Sequence, residues 1–181
     1  MNSSRSLAEL HSDFRSGSTT SMPVAGLVCW GLLGVAAQFL APKVVGTLAL
    51  YIMLGILPLA FLIDKLKGRN LFASNGNPLD RLFLSSIVGI GVTVPLVVIA
   101  ASAAKAPDLV VLGMAILAGV IWIPYGWAAE DKAGMIHAVI RAVGCYAAYA
   151  LAADAYRASA ICAVVVASYI YTLIFMRKVG G

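Results

Sequence analysis

The chain has 181 residues, of which 61% are hydrophobic and 12% are charged, and its mean hydropathy is +0.94. A water-soluble domain needs far more polar surface than this, so the composition excludes an ordinary soluble protein and predicts an integral membrane protein. The net charge of +5 comes from basic residues at the ends of apolar runs, where they act as orientation signals and contact lipid head groups, so nucleic acid is not expected as a partner.

The chain begins with a polar segment, residues 1–21, which is predicted to be a cytoplasmic tail. Ser6 and Glu9 have the spacing of a capping box, and Leu10 and Phe14 then fall on one helical face. Two alternatives follow, because so short a helix is marginal without a surface to bind. The segment is either a short interfacial helix on the membrane or a disordered tail, and its removal is expected to leave the rest of the chain folded.

Residues 22–178 are predicted to be a membrane domain of six transmembrane helices, because six segments approach the roughly 20 apolar residues that a spanning helix needs. The connections are short except for one polar segment, which ends in Asn77 and Pro78, an N-cap followed by a first-turn proline. The predicted fold class is therefore an all-α integral membrane bundle with short loops. The spans are placed near residues 23–40, 44–63, 78–103, 109–129, 134–153 and 156–176.

The distribution of basic residues predicts the orientation of this bundle. With an even number of spans both termini share one side of the membrane, and nine Lys and Arg residues fall on that side against three on the other. The positive-inside rule then makes both termini cytoplasmic, in a multi-pass protein of the cell (inner) membrane. The nine are Arg5, Arg15, Lys65, Lys67, Arg69, Arg81, Lys132, Arg177 and Lys178, and the three are Lys43, Lys105 and Arg157.

Arg141 interrupts the fifth predicted span. It lies about nine residues past the preceding cytoplasmic turn, which at 1.5 Å per residue places it about 13 Å deep in the membrane core. An arginine there costs about 2.5–3.5 kcal/mol unless it faces the bundle interior and finds acceptors. His137 lies one turn nearer the cytoplasm on the same helical face, and Tyr149 continues that face in the other direction.

Partners for this guanidinium are predicted on the fourth span. Pro124 lacks a backbone donor, which leaves the carbonyl of Val120 free to accept from the guanidinium. Tyr125 offers a hydroxyl, Trp122 an aromatic face for a cation, and Glu130 a carboxylate. The candidate ligand-binding residues are therefore Arg141, His137, Tyr125, Trp122, Glu130 and Tyr149.

Two functions stay open. In the first, the chain is a small-solute transporter or channel-like protein with a cytoplasm-facing site, in which His137 titrates and Arg141 binds a small anionic solute. In the second, it is a non-catalytic membrane partner or assembly protein in which Arg141 is a structural clasp. The sequence contains no catalytic motif and no metal-ligand spacing, so no enzyme activity, cofactor or metal is expected. The expected partners are the lipid bilayer and either further copies of the chain or another membrane protein.

Overall fold

The computed structural model describes residues 5–68 and 76–177, and every regular element in them is helical. This confirms the all-α fold class. A single 3₁₀ turn, Asp154–Tyr156, precedes the last helix. The helices are α1 (Leu7–Gly17), α2 (Ser21–Ala36), α3 (Pro42–Leu66), α4 (Pro78–Ala103), α5 (Asp108–Val120), α6 (Trp122–Ala128), α7 (Lys132–Leu151) and α8 (Arg157–Phe175).

Within residues 5–68 and 76–177, five helical segments are long and apolar enough to cross a membrane: α3, α4, α5 together with α6, α7, and α8 with its 3₁₀ turn. The pair α1 and α2 passes the same test only together, and it is bent by 50°. The first span ends at Ala36, earlier than the predicted residue 40. The reason is local, because the amide of Phe39 bonds back to the carbonyl of Ala36 in a tight turn ahead of Pro42.

The fourth span is broken into α5 and α6 at Ile121. Pro124 begins the next turn, and its ring removes the hydrogen bond that the carbonyl of Val120 would otherwise accept. The break is limited to one residue, and α5 and α6 together still qualify as one membrane-spanning segment.

Five of the helices form a closed ring. Along this ring α2, α3, α5, α7 and α8 each pack against two neighbours, and α5 also meets α8 across the interior. α4 lies outside the ring against α5 and α6. Most of its residues are exposed or half-buried, and only Leu79 and Ala101 are fully buried. The core of the bundle is therefore the interior of the ring, and α4 presents a lateral apolar surface.

α6 and α7 approach each other so closely that only glycine fits at the contact. A Cβ atom on Gly134 would lie 2.8 Å from the Cα of Gly126 and 2.7 Å from the carbonyl oxygen of Trp122. The tight turn between the helices contains Glu130 with a φ of 51° and is closed by Asp131, whose carboxylate caps α7. This contact brings the side chains of the first turns of α6 and α7 together.

α1 packs on the end of the bundle. His11 and Phe14 are buried, and the ring of Phe14 contacts those of Phe83 in α4 and Tyr125 in α6. The capping box predicted at Ser6 is present. The segment is thus a helix that packs on the rest of the protein rather than a disordered tail, and its placement at the membrane interface stays a prediction.

Candidate functional site

Arg141 lies at the middle of α7 and has no solvent exposure. Its Nε donates a hydrogen bond of 2.6 Å to the carbonyl oxygen of Ala115 in α5. The prediction that the carbonyl of Val120 accepts from Arg141 is therefore wrong. The cause is Gly119, where a Cβ atom would lie 3.0 Å from Cδ of Arg141, so its missing side chain leaves space for the arginine stem to lie along α5.

Two aromatic rings hold the guanidinium. Its Cζ lies 5.3 Å from the ring centre of Trp30 in α2 and 5.1 Å from that of Tyr169 in α8. Both rings are buried. Each such contact contributes about 0.5–2 kcal/mol to a desolvated cation, so the rings offset part of the cost of burying the charge.

Hydrogen bonding around this guanidinium is incomplete. Across the described residues, the buried side-chain nitrogens without a hydrogen-bond partner are Nη1 and Nη2 of Arg141, Nε2 of His137 and Nε1 of Trp30. These nitrogens belong to neighbouring side chains. An unpaired buried donor costs about 1–3 kcal/mol, and Nη1 and Nη2 carry four of the five N–H donors of arginine. The single bond to Ala115 does not offset that cost.

His137 lies one helical turn from Arg141 on α7. Its Nδ1 is 2.6 Å from Oγ1 of Thr172 and 3.0 Å from the carbonyl oxygen of Ser168, both in α8. Its ring lies 4.5 Å from Trp122 at an angle of 31° and 5.1 Å from Tyr169. The imidazole is therefore fixed on three sides, and Nε2 remains without a partner.

We call Arg141, His137, Trp30, Trp122 and Tyr169 the central cluster. It joins α2, α6, α7 and α8. None of the salt bridges among the described residues involves Arg141, so the cluster carries one uncompensated positive charge. Within residues 5–68 and 76–177 no three His, Cys, Asp or Glu side chains are grouped so as to hold a metal. The cluster is thus suited to bind an anion.

The remaining sequence-predicted site residues lie outside the central cluster. Tyr125 is one layer away, with its ring 5.2 Å from Trp122 and 6.1 Å from Phe14. The Glu130 carboxylate pairs with Arg15 at 2.8 Å on the surface. At the opposite end of α7, the ring of Tyr149 lies 4.8 Å from the guanidinium of Arg157.

The comparisons with known proteins define the family. A protein-family model matches residues 7–178. The chain belongs to DUF7010, a family of unknown function. No curated protein and no solved structure matches the chain. The central cluster is therefore the feature of this DUF7010 protein that indicates a function.

Sequence reasoning missed two members of the cluster in this DUF7010 chain, Trp30 and Tyr169. One signal was available, because tryptophan is enriched at membrane interfaces and Trp30 lies in the interior of α2. A second signal was the small-residue spacing of Ala115 and Gly119, which marks close helix packing. These two residues lie where the aliphatic part of the Arg141 side chain crosses α5.

The described part of the DUF7010 chain also has an apolar groove on its outer surface, between α4 and α6. Its volume is about 640 Å³, and its walls include Gly89, Ile123 and Trp127. None of the six candidate ligand-binding residues lines it. The groove and the central cluster are therefore separate features.

Proposed function

We propose that this protein is a membrane transporter for a small monovalent anion, which binds at the central cluster. The observation that carries the proposal is the buried guanidinium of Arg141, whose Nη1 and Nη2 have no partner among the described residues. Charged donors that remain unpaired in a low-dielectric interior are costly to keep, and such intramembrane groups commonly mark substrate or ion pathways.

The charge of the central cluster determines the charge that the solute must carry. Arg141 has no carboxylate partner among the described residues, which leaves a charge of about +1 that one monovalent anion neutralises. A divalent anion would leave an uncompensated negative charge, which costs several kcal/mol in a buried site. The burial of Arg141 between the rings of Trp30 and Tyr169 favours a compact anion.

Transport requires the site to open, because Arg141 and His137 have no solvent exposure. The structure corresponds in this proposal to an occluded state, which replaces the cytoplasm-facing cavity expected from the sequence. The break at Ile121 between α5 and α6 is a suitable hinge, since a broken helix bends with little loss of backbone hydrogen bonds. The proposal places six spans in the cell membrane with both termini cytoplasmic.

A second function is favoured by a different observation. The bond from Nε of Arg141 to Ala115 joins α7 to α5, as a structural clasp would. The spanning segment of α4 has 0% of its residues buried within the chain, which offers a lateral surface for another copy or another membrane protein. In this alternative the chain is a non-catalytic membrane partner or assembly protein, and Arg141 only fastens the bundle.

The test compares anions on purified protein in detergent. Sodium chloride, nitrate, formate and hydrogencarbonate are each titrated at constant ionic strength against sodium gluconate, and thermal unfolding is followed. At about 100 times its Kd, an anion that binds only the folded state stabilises it by about 2.7 kcal/mol. We expect at least one of the compact anions to raise the Tm of the wild type, Arg141→Met to remove the effect, and Arg141→Lys to weaken it, because lysine lacks the planar fork.

Lys132→Met is the matched control, since Lys132 is an exposed cation at the start of the same helix. Its anion response is expected to equal that of the wild type. A folded Arg141→Met variant that keeps the response would contradict the proposal. So would a wild type that responds to none of the four anions, and the clasp would then be the better account.

A further inference from the structure

We infer that the anion bound by the central cluster retains an O–H group, so that the substrate is a monovalent oxyanion of the hydrogencarbonate type. This inference rests on the proposed function and specifies its substrate class. It comes from the tautomer of His137, which gives the cluster one hydrogen-bond acceptor beside its donors.

The tautomer follows from the two oxygens that face Nδ1. The carbonyl oxygen of Ser168 can only accept. The hydroxyl of Thr172 donates its one proton to that same carbonyl at 3.1 Å, so toward His137 it too must accept. An unprotonated Nδ1 would set its lone pair against two acceptors. We therefore assign the proton to Nδ1, and the neutral ring then carries its lone pair on Nε2.

The groups around the ring agree with a neutral His137. The charged group nearest on its own helix is Arg141, one turn away. Toward the ring, α8 presents Ser168, Thr172 and the phenol of Tyr169, and α6 presents Trp122. None of these is a carboxylate, so a second positive charge on His137 would stand unpaired beside that of Arg141.

The cluster therefore offers two kinds of hydrogen-bonding atom. The donors without a partner are Nη1 and Nη2 of Arg141 and Nε1 of Trp30, and the acceptor without a partner is Nε2 of His137. His137 and Arg141 are one turn apart on one face of α7, and both contact Tyr169. A ligand that satisfies all of these atoms has negatively charged oxygens for the guanidinium and an O–H donor for Nε2.

An anion without a proton would leave Nε2 unpaired and would bring its own lone pairs toward it. A site built to bond a hydroxyl discriminates strongly against an analogue that lacks it, because its buried polar atom is then left unsatisfied. One unsatisfied group costs about 1–3 kcal/mol, which corresponds to a loss of about 5- to 150-fold in affinity.

Hydrogencarbonate and nitrate form the decisive pair of probes. Both are planar monovalent anions with three oxygens on one central atom, and hydrogencarbonate alone carries an O–H. Their Kd values are measured by thermal shift on the full chain in detergent, in sealed vessels at a mildly alkaline pH at which hydrogencarbonate is the main carbonate species. We expect hydrogencarbonate to bind the wild type at least about tenfold more tightly than nitrate.

His137→Phe keeps an aromatic ring beside Trp122 and removes the acceptor, so it should bind the two anions with equal affinity. His11→Phe changes the other histidine, which lies outside the central cluster with its Nδ1 bonded to Ala128, and it should keep the preference. If His137→Phe does not fold, the comparison of the two anions on the wild type still decides the substrate class.

Equal affinities of the wild type for the two anions overturn this inference while leaving the anion site intact. A preference that survives in His137→Phe overturns the role of Nε2. If neither these two anions nor chloride nor formate binds the wild type, the proposed function fails, and this inference fails with it.

Discussion

At the scale of single residues, the position of Tyr169 depends on Gly26. A Cβ atom at Gly26 would lie 2.2 Å from Cζ of Tyr169, a distance that no side chain tolerates. The glycine thus lets the phenol ring fit between α2 and α8, where its face contacts Arg141. One missing side chain in α2 therefore determines how a cation in α7 is held.

Gly26→Ala is expected to displace Tyr169 and to lower the free energy of unfolding by about 1–3 kcal/mol, as overpacking does in a filled core. The measurement is equilibrium unfolding in detergent. Gly31→Ala is the control on the same helix, because its Cβ would lie 4.0 Å from Val166, an ordinary contact. Equal stability of the two variants would show that Tyr169 does not occupy this place.

At the scale of elements, α1 contributes more to the fold than its composition indicates. Nδ1 of His11 lies 2.8 Å from the carbonyl oxygen of Ala128, and the side-chain amide of Asn77 donates to the carbonyl oxygen of Leu10 at 2.8 Å. These bonds join α1 to the end of α6 and to the start of α4. The nearby ion pair of Arg15 with Glu130 is partly exposed, so it contributes little. The docking of α1 therefore depends mainly on the burial of its aromatic rings.

Phe14→Ala is expected to destabilise the protein by about 3 kcal/mol, because Phe14 is only 8% exposed and its loss leaves a cavity beside Phe83 and Tyr125. Leu7→Ala is the matched control, since Leu7 on the same helix is 56% exposed. Chemical denaturation in detergent measures both. If Phe14→Ala is as stable as Leu7→Ala, α1 is not docked, and the tail can be removed without effect, as the sequence alone predicts.

At the scale of the whole molecule, several segments distant in sequence meet at one end of the bundle. The amide of Arg177, just beyond α8, donates to the carboxylate of Asp131 in the turn between α6 and α7 at 3.0 Å. α1 covers the start of α4 and the end of α6. This is the end to which the sequence assigns nine of the twelve basic residues other than Arg141. The positive-inside rule predicts that this end faces the cytoplasm.

Topology reporters test this orientation. A reporter fused after Gly181 or after Lys67 is expected to report the cytoplasm, and one fused after Ala106 the opposite side, because the excess of Lys and Arg holds its side in the cytoplasm. Activity of paired cytoplasmic and periplasmic reporters provides the measurement. A cytoplasmic result after Ala106 would contradict the six-span arrangement.

The sequence by itself determined the class of the fold and, to within a few residues, most of the long helices, but not the early end of α2, the break at Ile121 or the fold of α1. Apolar runs of about 20 residues bounded by prolines and charges leave few alternatives, since an unpaired backbone cannot stay in lipid. It also determined that Arg141 turns inward, because an arginine in mid-span does not reach the interface and cannot face hydrocarbon at low cost.

Only the tertiary structure decided what surrounds Arg141. Trp30 and Tyr169 come from two other helices, and their contacts with the guanidinium depend on how α2 and α8 are rotated about their axes. That rotation is set by close packing at positions such as Gly26, where a few tenths of an ångström decide which side chain fits. Periodicity within one helix carries no information about the side chain that a neighbouring helix brings. The sequence therefore pointed to Val120, Glu130 and Tyr149. Packing instead placed Ala115 and the two rings beside the guanidinium.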